Sequence, residues 1–426
     1  MMTTITSQRS LRVFLIGRFA TGLLWEMFLV TYMVYYVQTI GLDPLQLVLM
    51  GTVLEAAILL FEVPTGIVAD MFSRRLSVII GYAMMGVSFI AMAYWRSFGL
   101  ILLSQALWGI GFTFTSGAKQ AWLTDEIGET RAAAAFLRGT QMELAGAFFG
   151  LAAGVLLGSL ALNLPILLCG VGYLGVTVFY TLRMPETGFK PTPAGERNTF
   201  QHMLHTFMSG AQVLKRRPVF ISILMVGLFL GVYSEGYDRL WTAFFLERFT
   251  FPAIPVLSSL PNFPVVGWFG LLKLGSILLG MAAAAFTRRV VERSGISKIV
   301  ILLGMSSLGL VVALAGFSLS NVFFLTIICY WGISVSRQLI DPLYTAWVNQ
   351  RIESSVRATV LSMSSQLDAV GQIIGGPGVG WLARTFGLQV GLLVSTGLLL
   401  PVLGFLGFQK RERVDESAET HPLTTT

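Results

Sequence analysis

Three acidic residues interrupt long apolar runs of this sequence, where little water would hydrate them. Glu26 lies in the run 13–36, and Glu55 and Glu62 lie in the run 45–69. An ionised side chain at the centre of a bilayer costs about 2.5–3.5 kcal/mol, so such residues are functional candidates. Burial raises the pKa of a carboxyl group and a nearby cation lowers it, which allows proton exchange near neutral pH. We predict that these three carboxylates are the proton-coupling candidates, with Glu62 the one most suited to gating.

Other charged and amide side chains lie in or beside apolar runs and are candidates to line a cavity or to supply a counter-charge. Arg337 and Asp341 are four residues apart, a spacing that predicts an ion pair on one helix. The alternative role for the three glutamates is a permanent salt bridge with Arg18, Lys273 or Arg337. The cavity or counter-charge candidates are Arg18, Gln105, Gln141, Glu143, Glu235, Asp238, Lys273, Arg337, Asp341, Gln366 and Asp368.

The elements that must position these residues are transmembrane helices. The chain has 426 residues, of which 54% are hydrophobic and only 12% charged, whereas soluble domains are about 25% charged. Its apolar runs have helical length and lack the ten-residue alternation of barrel strands. We therefore predict an all-α polytopic membrane protein with twelve spans, near 13–36, 45–69, 76–94, 98–122, 137–160, 164–183, 218–241, 266–287, 298–318, 322–347, 359–384 and 387–408.

Basic residues between the runs predict the orientation of the chain. Nearly all of them fall in loops on one side, and only Arg96 and Arg248 fall on the other. Because cytoplasmic loops are enriched in Lys and Arg, both termini are predicted to be cytoplasmic, in the cell (inner or plasma) membrane. The predicted domains are a six-helix bundle at 1–183, a cytoplasmic linker with a possible surface helix at 184–217, a second bundle at 218–411 and a polar, disordered tail at 412–426.

The two halves of the chain resemble one another. The stretch "QMELAGAFFG" at 141–150 matches "QLDAVGQIIG" at 366–375, and both lie in the fifth span of their half. The matched residues are Gln141 with Gln366, Glu143 with Asp368, Gly146 with Gly371 and Gly150 with Gly375. Two parallel six-helix repeats are typical of alternating-access transporters, in which substrate binds between the halves.

The second span ends in "GIVADMFSRR", residues 66–75. Asp70 at the end of a helix opposes the helix dipole at a cost of about 0.3–1 kcal/mol, so it needs a partner such as Arg74 or Arg75. Gly66 would let another backbone approach closely. We interpret Gly66, Asp70, Arg74 and Arg75 as a gate motif, the alternative being a charge cluster that only sets topology.

This stretch resembles the loop between spans 2 and 3 of the major facilitator superfamily, G-x-x-x-D-x-x-G-R-[RK], with Ser73 in place of the second glycine. The resemblance covers nearly the whole chain and implies the two-bundle fold. It also implies that Asp70 and the arginines stabilise an outward-facing state through the eleventh span. "FEVPTG", "SGAKQAWLTDEIG" and "EGYDRLW" resemble the drug:proton antiporters that include tetracycline and macrolide exporters.

The fifth span partly resembles the exporter motif G-x-x-x-G-P-x-x-G. Gly146, Gly150, Gly154 and Gly158 lie on one helix face, a surface for close packing, while Leu151 replaces the proline. In the fourth span Gln105 replaces an arginine that these exporters carry. Aromatic candidates for a flat-sided ligand pocket are Trp25, Tyr32, Tyr35, Trp108, Phe112 and Trp241.

No sequence pattern indicates catalysis, a metal site, a nucleotide-binding loop or nucleic-acid binding. We therefore expect a protein that is not an enzyme, has no cofactor and is driven by a proton gradient. Its partners would be a small-molecule substrate and the lipid bilayer, and a monomer would suffice. The favoured function is proton-coupled efflux of amphipathic small molecules, with multidrug or tetracycline resistance as its consequence. The alternatives are a proton-linked importer of a metabolite and a non-transporting membrane receptor or enzyme.

Overall fold

A computed structural model describes residues 2–191, 218–254, 259–293, 296–352 and 354–419. These residues form thirteen α-helices and contain no β-strand. The first seven helices are α1 (Met2–Tyr35), α2 (Pro44–Met71), α3 (Arg74–Tyr94), α4 (Phe98–Thr115), α5 (Ala118–Ile127), α6 (Glu129–Leu160) and α7 (Leu164–Arg183). The other six are α8 (Pro218–Arg248), α9 (Phe263–Arg293), α10 (Ile296–Leu319), α11 (Phe323–Arg351), α12 (Ser354–Phe386) and α13 (Leu388–Glu419).

Membrane-spanning potential is present in nearly all of the long helices. Within the described residues, eleven helical segments are long and apolar enough to cross a membrane, with α4 and α5 counted as one segment. The helix α12 is not among them, although the sequence predicted a span at 359–384. Its first half is rich in Ser and Gln, which lowers its mean hydropathy. The predicted all-α fold with twelve long helices is confirmed.

Local sequence signals explain several helix boundaries. A capping box joins Asp43 and Gln46 at the start of α2, and Pro44 occupies the first turn. Ser73 caps α3 by accepting a hydrogen bond from the Leu76 amide at 2.9 Å. Gly117, with φ +69°, separates α4 from α5, so the predicted span 98–122 is two helices rather than one. The fold needs glycine there because other residues rarely adopt that φ.

Contacts divide the chain into two compact units. The first unit holds Met1–Phe200 and Thr250–Lys273, and the second holds Gln201–Phe249 and Leu274–Thr426. The segment 250–273, predicted within the second bundle, belongs to the first unit. The Asn262 amide donates to the Ser159 carbonyl at 3.3 Å, and a Cβ at Gly270 of α9 would lie 2.5 Å from Val155 Cγ2 of α6.

Helix pairing inside each unit is tight. In the first unit α1 packs along α6, α3 packs on α7, and α4 packs on both α2 and α3. Around Trp108 the rings of Trp25, Phe28 and Phe89 lie with centroids 5.2–5.6 Å away. In the second unit α8 packs on α12 and α13, and α10 packs on α11 and α13.

The predicted linker and the predicted polar tail lie only partly within the described residues. The linker at 184–217 is described only to residue 191, so the proposed surface helix lies outside the described residues. The predicted polar tail begins at 412, whereas α13 continues to Glu419.

Candidate functional site

A polar cavity of about 370 Å³ lies within the second unit. Its walls come from α8, α11 and α12, and its charged members are three aspartates and one arginine. Ligand pockets in proteins usually range from about 300 to 1,000 Å³, so this volume suits a small molecule. The lining residues are Gly227, Leu230, Tyr233, Ser234, Asp238, Arg337, Ile340, Asp341, Tyr344, Ser364, Ser365, Asp368 and Gln372.

The arginine of this cavity pairs across two helices. Arg337 on α11 donates from both terminal nitrogens to the carboxylate of Asp238 on α8, and one of these bonds is 2.9 Å long. The guanidinium also lies 6.0 Å from the ring centroid of Tyr237. The predicted ion pair of Arg337 with Asp341 is therefore wrong. Both oxygens of Asp238 can face the planar guanidinium, and such bidentate pairs are the stronger ones.

Two carboxylates of the cavity have no ion-pair partner of their own. Asp368 accepts a hydrogen bond from Gln372 Nε2 at 2.8 Å, and Asp341 lines the same wall as Arg337. Among the described residues, no Lys or Arg lies within 4.0 Å of either carboxylate. The charged lining therefore holds three carboxyl groups and one guanidinium group.

A hydroxyl network forms another wall. The Tyr344 hydroxyl is 2.9 Å from the Ile223 carbonyl, to which it donates, and 2.6 Å from Ser364 Oγ. Glu235, on the same helix as Asp238, is 2% exposed and accepts a hydrogen bond from Arg239 Nε at 2.8 Å. The sequence analysis named Glu235 and Asp238 as candidates, but it identified neither Tyr344 nor Ser364.

In the first unit, an ion pair joins α1 to α6. A terminal nitrogen of Arg18 donates to Glu143 Oε2. Gln141, two residues earlier on α6, is exposed, and Gln366 on α12 is partly buried without lining the cavity of the second unit.

Glu26 and Lys273 form a further charge pair in the first unit. Glu26 Oε2 lies 3.7 Å from Lys273 Nζ, which is too long for a hydrogen bond. Oε2 is buried and has no hydrogen-bond partner within the described structure. Glu55 is partly buried and Glu62 is exposed. The three acids predicted for proton coupling therefore occupy three different environments.

Gln105 and most of the aromatic candidates make contacts inside their units, whereas Phe112 is 44% exposed. Gln105 is fully buried, with Tyr32 Oη 3.5 Å from its Oε1 and its Nε2 3.8 Å from Met92 Sδ. Trp25 and Tyr32 each contact Trp108 edge to face, and each also contacts the ring of Phe28. Trp241 packs against Tyr330 at 4.8 Å. These rings fill space instead of lining a flat-sided pocket.

The glycine series of α6 faces α1. A Cβ atom at Gly146 would lie 2.1 Å from the Phe19 carbonyl oxygen, and one at Gly150 would lie 2.0 Å from that of Leu23. At Gly154 and Gly158 the nearest atoms would belong to Met27 and Thr31, at 2.8 and 2.3 Å. The structure thus brings the four glycines together as a close-packing face.

The gate motif connects α2, α3 and α5. Arg74 donates to Asp125 on α5 and has a nitrogen 3.7 Å from Asp70 Oδ1. Arg75 donates to the Thr181 carbonyl at 2.6 Å. A Cβ at Gly66 would meet no described heavy atom within 4 Å, so the close approach expected there is not seen.

A further acid supports this motif and was missed in the sequence. Glu186 accepts hydrogen bonds from Ser73 Oγ at 2.6 Å and from the Arg75 amide at 2.9 Å, at the start of α3. The indole of Trp122 donates to the Pro185 carbonyl at 2.5 Å. The stretch "MPETG" contains this acid, but its composition is that of a linker and gave no signal of a helix cap.

Comparisons with known proteins agree with the fold. The family model of the Major Facilitator Superfamily matches residues 14–293. A relative from Bacillus subtilis (strain 168), the uncharacterized MFS-type transporter YxaM, is 25% identical over 364 residues, which cover 85% of this chain and 86% of the relative.

Solved structures with similar folds have lower sequence identity. A crystal structure of a mutant of the nucleoside transporter NupG has a TM-score of 0.75 at 14% identity, and covers 93% of this chain and 99% of its own. A POT family transporter in complex with 5-aminolevulinic acid has a TM-score of 0.70 at 14% identity, and covers 95% of this chain and 96% of its own.

Proposed function

Because this chain belongs to the Major Facilitator Superfamily, we propose that it is a secondary active transporter that exports a small polar solute in exchange for protons. The observation that carries this proposal is the charged cavity of the second unit. Asp238, Arg337 and Asp341 line it from helices α8 and α11, which are long and apolar enough to cross a membrane. Charges are costly in such helices, and they mark the path of a solute or ion.

The lining of the cavity favours a hydrophilic solute over tetracycline-like or macrolide-like drugs. Its charged residues and the Tyr344–Ser364 hydroxyl pair supply several hydrogen-bonding groups around about 370 Å³. Of the aromatic side chains that the sequence proposed for a drug pocket, Trp108 contacts Trp25 and Tyr32 in the first unit, and Trp241 packs against Tyr330 in the second. Polar groups placed in this way select a ligand by its hydrogen bonds rather than by its apolar area.

Glu26 is the acid best placed to carry the proton. One oxygen of its carboxyl group is buried and makes no hydrogen bond within the described structure, and Lys273 Nζ lies 3.7 Å from that oxygen. This geometry is the reason for which we propose Glu26 as the proton carrier. The exposed Glu62 has no such constraint, and we assign it no proton-carrying role. Glu55 is the second candidate because it is partly buried in α2.

Import of a polar metabolite with protons is the second candidate function. The polarity of the cavity favours it, and the structurally similar proteins NupG and POT transport nucleosides and peptides. The two candidates place the same residues in the same roles and differ in the direction of solute movement.

Transport in membrane vesicles would test both candidates. Inverted vesicles with an imposed acidic interior would be given radiolabelled amines, nucleosides, amino acids and fluorescent drugs, and right-side-out vesicles with an acidic exterior would serve the import arm. Export predicts that the solute accumulates in the inverted vesicles when the gradient is imposed. The Glu26→Gln variant should lose this accumulation. The control Glu129→Gln, which removes an exposed charge, should keep it. Accumulation only in the right-side-out vesicles would replace export by import. Equal transport with and without a gradient would contradict proton coupling.

A further inference from the structure

Each unit contains a crossing of two helices, and the two crossings have the same register. In the first unit a Cβ at Gly22 of α1 would lie 2.3 Å from the carbonyl oxygen of Glu143, and in the second unit a Cβ at Gly231 of α8 would lie 2.0 Å from that of Asp368. Gly146 meets Phe19 as Gly371 meets Leu228. Residues of α1 therefore correspond to residues of α8 that are 209 positions later, and residues of α6 to residues of α12 that are 225 positions later.

This register shows what the second unit lacks. Arg18, which neutralises Glu143 in the first unit, corresponds to Gly227 in the second. Asp368 corresponds to Glu143, and it has no guanidinium from α8 to pair with.

The residue that faces this position from the neighbouring helix also differs between the two units. Arg18 Cγ lies 3.4 Å from the place where a Cβ at Gly139 would be, so this glycine leaves room for the arginine. Gly139 corresponds to Ser364, and a Cβ at Gly227 would lie 2.5 Å from Ser364 Oγ. The first unit thus has an arginine, Arg18, opposite a glycine, Gly139. The second unit has a glycine, Gly227, opposite a serine, Ser364.

The space beside Gly227 is part of the cavity already described. Gly227, Ser364 and Asp368 all line it. The ion pair of Asp238 with Arg337 balances its own charge, so Asp341 and Asp368 leave the charged lining with a formal charge of −2. A cationic group entering this space would meet Asp368 much as Arg18 meets Glu143.

We propose that Asp368 binds a guanidinium or ammonium group of the transported solute, in the space where the first unit has the Arg18 side chain. The substrate class is therefore a small organic cation, with Asp341 on the facing helix as a second negative group. This inference rests on the proposed transport function but is independent of its direction and of proton coupling. A guanidinium would satisfy both carboxylate oxygens, while an ammonium would form a less directional pair.

Binding to the purified full-length protein in detergent tests the proposal directly. The probes are propylguanidinium, propylammonium and neutral propylurea, which are similar in size, and the readout is the ligand-dependent shift of the unfolding temperature. Both cations should give saturable shifts and propylurea none. The cation that gives the larger shift in unfolding temperature identifies the cationic group that the site prefers. Equal shifts with propylurea, or none with either cation, would overturn the proposal.

Variants locate the binding to Asp368. Asp368→Asn should weaken cation binding about tenfold or more, since hydrogen bonds to charged groups contribute about 1.5–3 kcal/mol. The control Glu247→Gln removes an exposed acid from α8 and should leave binding unchanged. Unchanged cation binding in a folded Asp368→Asn protein would contradict the proposal.

A second pair of variants tests the correspondence with the first unit. Gly227→Arg combined with Ser364→Gly restores the residue types of Arg18 and Gly139, so the protein would carry its own cation at Asp368. This variant should lose cation binding and unfold at a higher temperature than the matched Gly227→Met, Ser364→Gly variant. Adding Asp368→Asn to each should remove that difference in unfolding temperature. A difference that persists would contradict an ion pair at this position.

These measurements also separate the two proposals. Cation binding at Asp368 without proton-driven transport would uphold the site and reject the proposed function. Proton-driven transport of neutral solutes, with no cation binding, would reject the site and uphold the function.

Discussion

Arg337 on α11 holds Asp238 on α8 through both of its terminal nitrogens, and this pair joins the two helices along one wall of the cavity. Its side chains are 35% and 40% exposed, so water screens the interaction. Surface ion pairs contribute about 0–1 kcal/mol, whereas breaking a fully buried pair costs about 3–5 kcal/mol. The exposed fractions place this pair nearer the lower range.

Replacing the arginine by lysine should destabilise the protein slightly. Arg337→Lys keeps the charge but loses the second hydrogen bond, and we expect a loss of ~1 kcal/mol in the free energy of unfolding. The measurement is thermal unfolding in detergent, with Arg138→Lys, which changes an exposed arginine of α6, as control. A stability equal to that of the unsubstituted protein would contradict the importance of the bidentate geometry.

Glycine replacement in α6 should separate α6 from α1. In Gly150→Ala the new Cβ would lie 2.0 Å from the Leu23 carbonyl oxygen, so the helices must move apart, at a cost of about 1–3 kcal/mol. The control is Gly175→Ala in α7, where no described atom lies within 4 Å of the new Cβ. We expect a lower unfolding temperature for the first variant only. Equal unfolding temperatures would show that the α1–α6 crossing tolerates extra volume.

Loss of Glu186 should loosen the first turn of α3. In Glu186→Ala, Ser73 Oγ and the Arg75 amide lose their acceptor, and loss of a helix cap costs about 0.5–2 kcal/mol. Amide hydrogen exchange should therefore become faster at the start of α3 while the core of α3 is unaffected. Lys190→Ala changes an exposed side chain of the same segment and is the control. Unchanged exchange in Glu186→Ala would show that Ser73 alone caps the helix.

The Glu26–Lys273 pair should show coupling in a double-mutant cycle. Glu26→Gln and Lys273→Met each leave a partly buried partner uncompensated, and the double variant removes both charges. We expect the sum of the two single losses in the free energy of unfolding to exceed the loss in the double variant by about 0.5–3 kcal/mol. Additive losses would mean that the two side chains stabilise the first unit independently.

Gate-motif substitution tests the proposal that this loop biases the conformational equilibrium. Asp70→Asn removes the charge 3.7 Å from the Arg74 guanidinium but leaves the Arg74–Asp125 pair. We expect a changed balance between inward-open and outward-open states, measured by thiol labelling of cysteines introduced along the cavity. Identical labelling in both proteins would indicate a role in topology alone. The implied contact of Asp70 with the eleventh span stays a prediction.

Periodic features of the fold could be predicted from the sequence. Apolar runs of helical length predicted the long helices, and glycines at a spacing of four predicted the face of α6 that packs on α1. These features depend on residues within one helix, so spacing alone carries the information. The match of Gly146 and Gly150 with Gly371 and Gly375 also anticipated the common crossing of the two units.

Partners on other helices could not be predicted in this way. Spacing along α11 offered Asp341 to Arg337, but the carboxylate that meets the guanidinium comes from α8. Part of the cavity exists because Gly227 has no side chain to fill it. A sequence does not indicate where such empty space will lie. Glu186 likewise functions only because the chain folds back onto α3 after α7.

The different offsets of the two crossing helices indicate how the halves diverged. From Gly22 to Glu143 the chain needs sixteen fewer residues than from Gly231 to Asp368, yet the contact is the same. Only residues 41–43 connect the end of the π-helical turn Tyr36–Ile40 to α2, whereas residues 249–262 connect α8 to α9. The two halves thus keep the same crossing although the connections between their helices differ in length. An epitope inserted within 249–262 would extend a connection that is already longer than its counterpart in the first unit, so this segment is the natural place to mark the protein for purification.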